Sequence, residues 1–137
     1  MTLLYYRPLQ NTVAEKLQAI IETEFPEENL EIYYTTEDLS ERLRRHVRIN
    51  CAAIILAEDI YDLRSLFNLK NLLKDIRIIL VLPDRTEEIV SMGHKLHPRF
   101  LSYTDSDFSD VAVVLKKIIQ LMEKTIHGNN IIDVTLN

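Results

Sequence analysis

Glycine is almost missing from this chain of 137 residues, which has only Gly93 and Gly128. Loops that cradle a phosphate need several glycines, because only a residue without Cβ lets backbone N–H groups come close to the phosphate. Neither G-x-G-x-x-G nor G-x-x-x-x-G-K-[ST] occurs. Rossmann-type dinucleotide sites and Walker-type ATP sites are therefore excluded. Cysteine occurs once, at Cys51, so there is neither an internal disulfide nor a cysteine-rich zinc site. No apolar run approaches the roughly 20 residues that span a bilayer, so no membrane association is expected. The opening "MTLLYYRPLQ" lacks the basic segment, apolar core and small-residue cleavage site of a signal peptide. A reducing cytoplasm is the expected location. Positive charge is also short: the formal net charge is −5. Direct nucleic-acid binding wants a basic surface, so none is expected.

What is present is an ordinary folding composition, 47% hydrophobic and 27% charged, at a length that suits one domain. Short apolar runs alternate with longer helical periods. "TLLYY" (2–6) predicts a strand, and Val13, Leu17, Ile20 and Ile21 one face of a helix over about 10–25. Thr12 with Glu15 predicts a capping box at its start, and Pro26 its end. "LEIYYT" (30–35) alternates, which predicts an edge strand with one wet face. A second helix is expected from Glu37 to Val47 with Leu39 and Leu43 on its apolar stripe. "CAAIILA" (51–57) and "IRIILVLP" (76–83) do not alternate, which predicts strands buried on both faces. Leu63, Leu66, Phe67 and Leu73 predict the helix between them. Asp84 with Glu87 predicts a cap for a fourth helix, "RFLSY" (99–103) a fifth strand, and Asp107 a cap for a fifth helix. Gly128 predicts that helix's end, leaving residues 127–137 as a tail behind a domain of residues 1–126.

Five β-α units imply a parallel sheet with helices on both faces, a three-layer, doubly wound α/β domain. The first, third and fourth strands are the most continuously apolar, so the second and fifth belong at the edges. That is the flavodoxin-like order 2-1-3-4-5.

In length, element order and element size the chain resembles the receiver domain of two-component response regulators over about residues 2–125. That resemblance implies phosphoryl transfer to an aspartate, assisted by magnesium. The chemistry needs an acidic pair after strand one, an Asp ending strand three, a Ser or Thr after strand four and a Lys after strand five. Here Tyr5, Tyr6, Arg7 and Pro8 stand at the first place. The nucleophile position falls at Ala57 or Glu58, the hydroxyl position at Leu82, and the lysine position near Tyr103 or Thr104. The implied reading is a pseudo-receiver: a non-enzymatic signalling module that works through protein contacts, including contact with a second copy of itself. No cofactor or metal is expected.

Several residues carry the open questions. Glu58 and Asp59 end the third strand as a degenerate phospho-site, or cap the helix that follows. Arg7, Asn11, Asp84 and Arg85 should lie with them at the carboxyl edge of the sheet, where open α/β sheets bind ligands. Tyr103 marks an interface candidate. In "ERLRRHVR" (41–48), Arg42, Arg45 and Arg48 would dock an acidic partner, or form a solvated helix face. His94 and His97 share a helical spacing but have no third ligand nearby in sequence. Two alternatives stay open: an atypical phospho-accepting receiver using Asp59 or Glu58, and a small-molecule sensor at the carboxyl edge.

Overall fold

A computed structural model describes residues 1–25, 29–45 and 50–136. The elements follow in the order β1 (Thr2–Tyr6), α1 (Thr12–Glu24), β2 (Leu30–Tyr33), α2 (Thr36–Arg45), β3 (Cys51–Leu56), α3 (Ile60–Phe67), α4 (Lys70–Leu73), β4 (Arg77–Leu82), α5 (Glu87–His94), β5 (Phe100–Tyr103) and α6 (Ser109–Leu136). All four strand pairings are parallel, and the sheet order is β2-β1-β3-β4-β5. This is the flavodoxin-like, three-layer architecture expected from the strand textures.

Alternation along each strand assigns the two faces. Leu3 and Tyr5 of β1, Ala52, Ile54 and Leu56 of β3, and Ile79 and Val81 of β4 face α1 and α6. There they meet Ala14, Leu17, Ile21, Phe108, Val111, Leu115, Ile118 and Met122. Leu4 and Tyr6, Ala53 and Ile55, and Ile78, Leu80 and Leu82 face the other way, onto Leu39, Leu43, Leu63, Leu66, Leu73 and Ile89. Every residue of β3 is buried, as expected of the central strand. The single cysteine, Cys51, is packed at its start. Gly93 sits where α5 crosses β4 closely: a Cβ there would lie 3.1 Å from Leu82 Cδ1 and 3.3 Å from Leu80 Cδ2.

Several boundaries differ from the sequence expectations. The helix after β3 is two pieces, α3 and α4, split at Asn68 and Leu69. β2 lies at the sheet edge as expected, but all four of its residues are half-buried; on its outer face Glu31 forms an ion pair with Arg42 of α2 and accepts a 2.6 Å bond from Tyr33 Oη. α6 does not stop at Gly128 but continues to Leu136. Thr12 is the first helical residue of α1, and Asn11 is its cap. Pro26 and Val47 lie outside the described residues.

Candidate functional site

A parallel sheet with helical crossovers brings the carboxyl ends of its strands and the N-termini of the following helices to one end of the molecule. That end holds the loops after β1, β2, β3, β4 and β5, and with them most of the residues singled out above.

The exit of β1 is filled by Arg7, which is only 2% exposed. Alternation puts Arg7 on the face of Leu3 and Tyr5, toward α1. Its guanidinium donates from Nε to the Pro8 carbonyl (2.9 Å) and from Nη2 to the Leu9 carbonyl (2.8 Å). It also donates to Gln18 Oε1 (2.9 Å) and to Glu15 Oε1 (2.8 Å), and lies 5.5 Å from the Tyr34 ring centroid. The loop "RPLQN" is thus wrapped around the guanidinium and tied to α1. Asn11 adds the helix cap by accepting the Ala14 N–H at 3.0 Å. The bond from Arg7 holds the Glu15 carboxyl below its usual range. So Arg7 and Asn11 do stand at the carboxyl edge, but both are spent on local structure. Glu15 serves Arg7 and not the expected capping box.

On the other face, the exits of β1 and β3 meet through Asp62, which the sequence reading passed over. Tyr6 Oη donates to Asp62 Oδ1 (2.5 Å), and the Glu58 N–H donates to Asp62 Oδ2 (2.9 Å). Asp59 Oδ1 accepts the Asp62 N–H (2.8 Å) and caps α3. This is a capping box displaced by one residue: the acid at the third helical position reaches back to the N–H before the cap. The spacing D-x-x-D in "DIYD" is the signal that could have found it. Burial above all, then the bond to Asp62, with Glu37 and Glu58 nearby, pushes the Tyr6 phenol far above its ordinary pKa. Of the two carboxylates that end β3, Asp59 is committed to the cap. Glu58 is exposed.

At the exits of β4 and β5, Arg85 Nη1 donates to Asp105 Oδ2 (2.6 Å), and its guanidinium stacks 4.0 Å over Tyr103. That bond raises Arg85 and lowers Asp105 relative to their ordinary pKa values. Asp84 does not cap α5. Its Oδ1 accepts from the N–H (2.9 Å) and hydroxyl (2.7 Å) of Thr86, closing a turn before the helix. The Thr86 hydroxyl, then its N–H, holds the Asp84 carboxyl low. Asp107 likewise accepts from the N–H (3.0 Å) and hydroxyl (2.8 Å) of Ser109, two residues on. Tyr103 is half-buried against the core.

The arginines of α2 separate. Arg42 is buried, 7% exposed, bonded from Nε to Glu31 Oε1 (2.6 Å), with Nη2 3.9 Å from Cys51 Sγ. It is therefore not free to dock a partner, because its stem lies under the helix and its charge is met by β2. Arg45 is exposed and 3.8 Å from Glu41. Arg48 lies outside the described residues. His94 ends α5, His97 follows it with a left-handed backbone (φ 52°), and no three His, Cys, Asp or Glu side chains among the described residues come together so as to hold a metal ion. No helix of the described residues is long and apolar enough to cross a membrane.

Comparison with protein-family models finds no match, and neither curated proteins nor solved structures give a significant match.

Proposed function

We propose that this chain is a pseudo-receiver: a regulatory module with the receiver architecture that performs no phosphoryl transfer and works through protein contacts. The single observation that carries this reading is the arginine built into the exit of β1. A receiver gathers carboxylates there to hold magnesium. Here a buried guanidinium occupies that exit, bonded to Glu15, Gln18 and two loop carbonyls. A fixed cation at that place repels a second cation, and moving it would unmake the loop.

Two further features support the reading. Asp59 spends an oxygen on the α3 cap and Asp62 spends both of its oxygens on Tyr6 and Glu58, so neither is poised as a nucleophile. Beyond β4 and β5, where receivers place a hydroxyl and a lysine, stand Pro83, Asp84 and a Tyr103–Arg85–Asp105 stack. An arginine already ion-paired on the surface is not a preorganised clamp for a developing charge.

The test is incubation of the chain with acetyl phosphate and magnesium, read by intact mass. The expected outcome is an unchanged mass. A gain of one phosphoryl group that is lost in Asp59→Asn or Glu58→Gln would establish the active, atypical receiver instead.

A further inference from the structure

The amino end of the sheet differs in charge from the rest of the chain. Helices α4 and α5 finish there, just ahead of β4 and β5. From Phe67 to Leu82 the only carboxylate is Asp75, and from Ile89 to Tyr103 there is none, in a chain whose net charge is −5. At the carboxyl end Arg7, Arg64 and Arg85 each meet a carboxylate, from Glu15, Glu88 and Asp105. At the amino end no carboxylate of the described residues lies within ion-pair distance of Lys70, Lys74, Lys95 or Arg99. The three lysines and Arg99 are all exposed.

Two of these cations converge from different helices on one ring. Lys70 Nζ of α4 lies 4.7 Å, and Lys95 Nζ at the end of α5 6.0 Å, from the centroid of Phe67, the last residue of α3. Their separation cannot exceed those two distances laid end to end. The ring attracts both ammoniums and so fixes where they stand. It supplies no oxygen, so their N–H donors stay unmet by any acceptor of the described residues. Lys74 follows Lys70 by four positions with helical backbone, which sets both on one side of α4. Arg99 leads into β5 with its N–H on the Ile78 carbonyl (2.8 Å), and strand parity turns it to the face of Leu101, where α3, α4 and α5 pack. Local structure does not ask for all of this charge. A last helical turn favours a cation, which accounts for Lys74 and Lys95. Lys70 opens α4, where the helix dipole disfavours one, and it forms a like-charge (i, i+4) pair with Lys74.

We propose that the surface around Phe67 docks a short acidic segment of a partner protein, with Lys70 and Lys95 as the central pair of cations and Lys74 and Arg99 beside them. Half-buried Phe67 and Leu72 add apolar surface for a neighbouring side chain of that segment. The patch is too short for a long polyanion. Along α5, Glu88 and Glu87 stand seven and eight residues before Lys95, about 10–12 Å away at the helical rise. A nucleic-acid backbone would run on into those carboxylates, whereas a peptide with a few carboxylates ends before them. This rests on the protein-contact reading above and names the chemistry of the partner.

The experiment uses the full chain and a short fluorescein-labelled peptide of glutamate and leucine residues, read by fluorescence anisotropy. The expected result is saturable binding that weakens as salt rises. The double change Lys70→Gln with Lys95→Gln should weaken it about tenfold. The matched control is Lys16→Gln with Lys117→Gln, two exposed lysines of α1 and α6 whose loss changes the net charge equally. Lys16 also lies over a phenylalanine ring, 5.7 Å from the centroid of Phe108, so the loss of a ring contact is matched as well. The control should leave affinity within about twofold. Lys70→Gln alone should weaken binding without lowering the urea midpoint, since it removes a charge that α4 disfavours. A lowered midpoint with unchanged binding would make Lys70 a structural residue and overturn the proposal. Equal weakening by the two pairs would overturn it too, since only net charge would then be sensed. So would no binding of the peptide, or tighter binding of the same peptide with lysine in place of glutamate. A labelled single-stranded oligonucleotide that binds more tightly than the peptide, and loses affinity in the Lys70 and Lys95 double variant, would assign the surface to nucleic acid instead. None of these outcomes bears on phosphoryl uptake, which is read separately by mass.

Discussion

Arg7→Ala is expected to destabilise the fold by about 3 kcal/mol. The side chain is 2% exposed and makes four hydrogen bonds, two of them to carbonyls of its own loop. Truncation leaves the Pro8 and Leu9 carbonyls without their donors, frees Glu15 and Gln18, and opens a gap between the loop and α1. Each lost bond is worth about 0.5–1.5 kcal/mol net, and a buried unmet acceptor adds to that. Arg7→Lys should recover less than half of the loss, because an ammonium on a flexible stem cannot reach four acceptors spread around a planar fork. The check is urea unfolding, with the change in midpoint read at constant slope. A loss below about 1 kcal/mol would mean that the guanidinium is an exposed charge with incidental contacts, and free to act on a ligand.

The second large effect belongs to Phe108. This residue is fully buried among the side chains between α1 and α6, and its backbone is left-handed, with φ 63°. Its N–H donates to Ser106 Oγ (2.9 Å), and its carbonyl accepts the Ala112 N–H (3.0 Å), so it is the hinge by which the chain enters α6. A bulky residue at positive φ is uncommon and costs about 1–2 kcal/mol. Packing of the ring must offset that cost. Phe108→Ala should lose about 3–5 kcal/mol, because it removes the ring and keeps the strained backbone. Phe108→Gly removes the same ring but relaxes the backbone. It should therefore be no less stable than Phe108→Ala, the reverse of the order seen at an ordinary buried position. Thermal unfolding of the two variants side by side decides it. If the glycine variant is the weaker by about 1 kcal/mol, the left-handed conformation carries no strain.

Much of the fold is legible in the sequence, because its dominant signals are periods. The unbroken apolar texture of "CAAIILA" and "IRIILVLP" requires burial on both faces and so a place inside a parallel sheet. Together with the apolar first strand and the more mixed second and fifth, that places the last two at the edges and fits the order 2-1-3-4-5. Where the reading failed, the cause was the direction of a side chain and not its type. Arg7 was expected near Glu58 and Asp59 because all three end up at one edge of the sheet. Strand parity, however, turns Arg7 toward α1, while Asp59 and Asp62 belong to α3 on the opposite face. Arg42 was grouped with its neighbours in a charge run, although its spacing from Leu39 and Leu43 already placed it partly under the helix. Its partner Glu31 lies in another element, which no local pattern reveals. The conformation of Phe108 was not legible, since positive φ is ordinarily announced by glycine or asparagine. Asp62 was legible and was missed: "DIYD" carries cap spacing.

The carboxyl edge can be observed residue by residue. Amide resonances of the isotope-labelled chain, followed during titration with magnesium and beryllofluoride, report at Glu58, Asp59, Asp62, Asp84 and Thr104 whether the edge takes up a metal and a phosphoryl mimic. With the exit of β1 filled by the Arg7 guanidinium, the expected result is no saturable shift at any of these amides. Saturable, magnesium-dependent shifts centred on Glu58 and Asp59 would show instead that the phosphoryl site is intact and that the buried arginine does not close it.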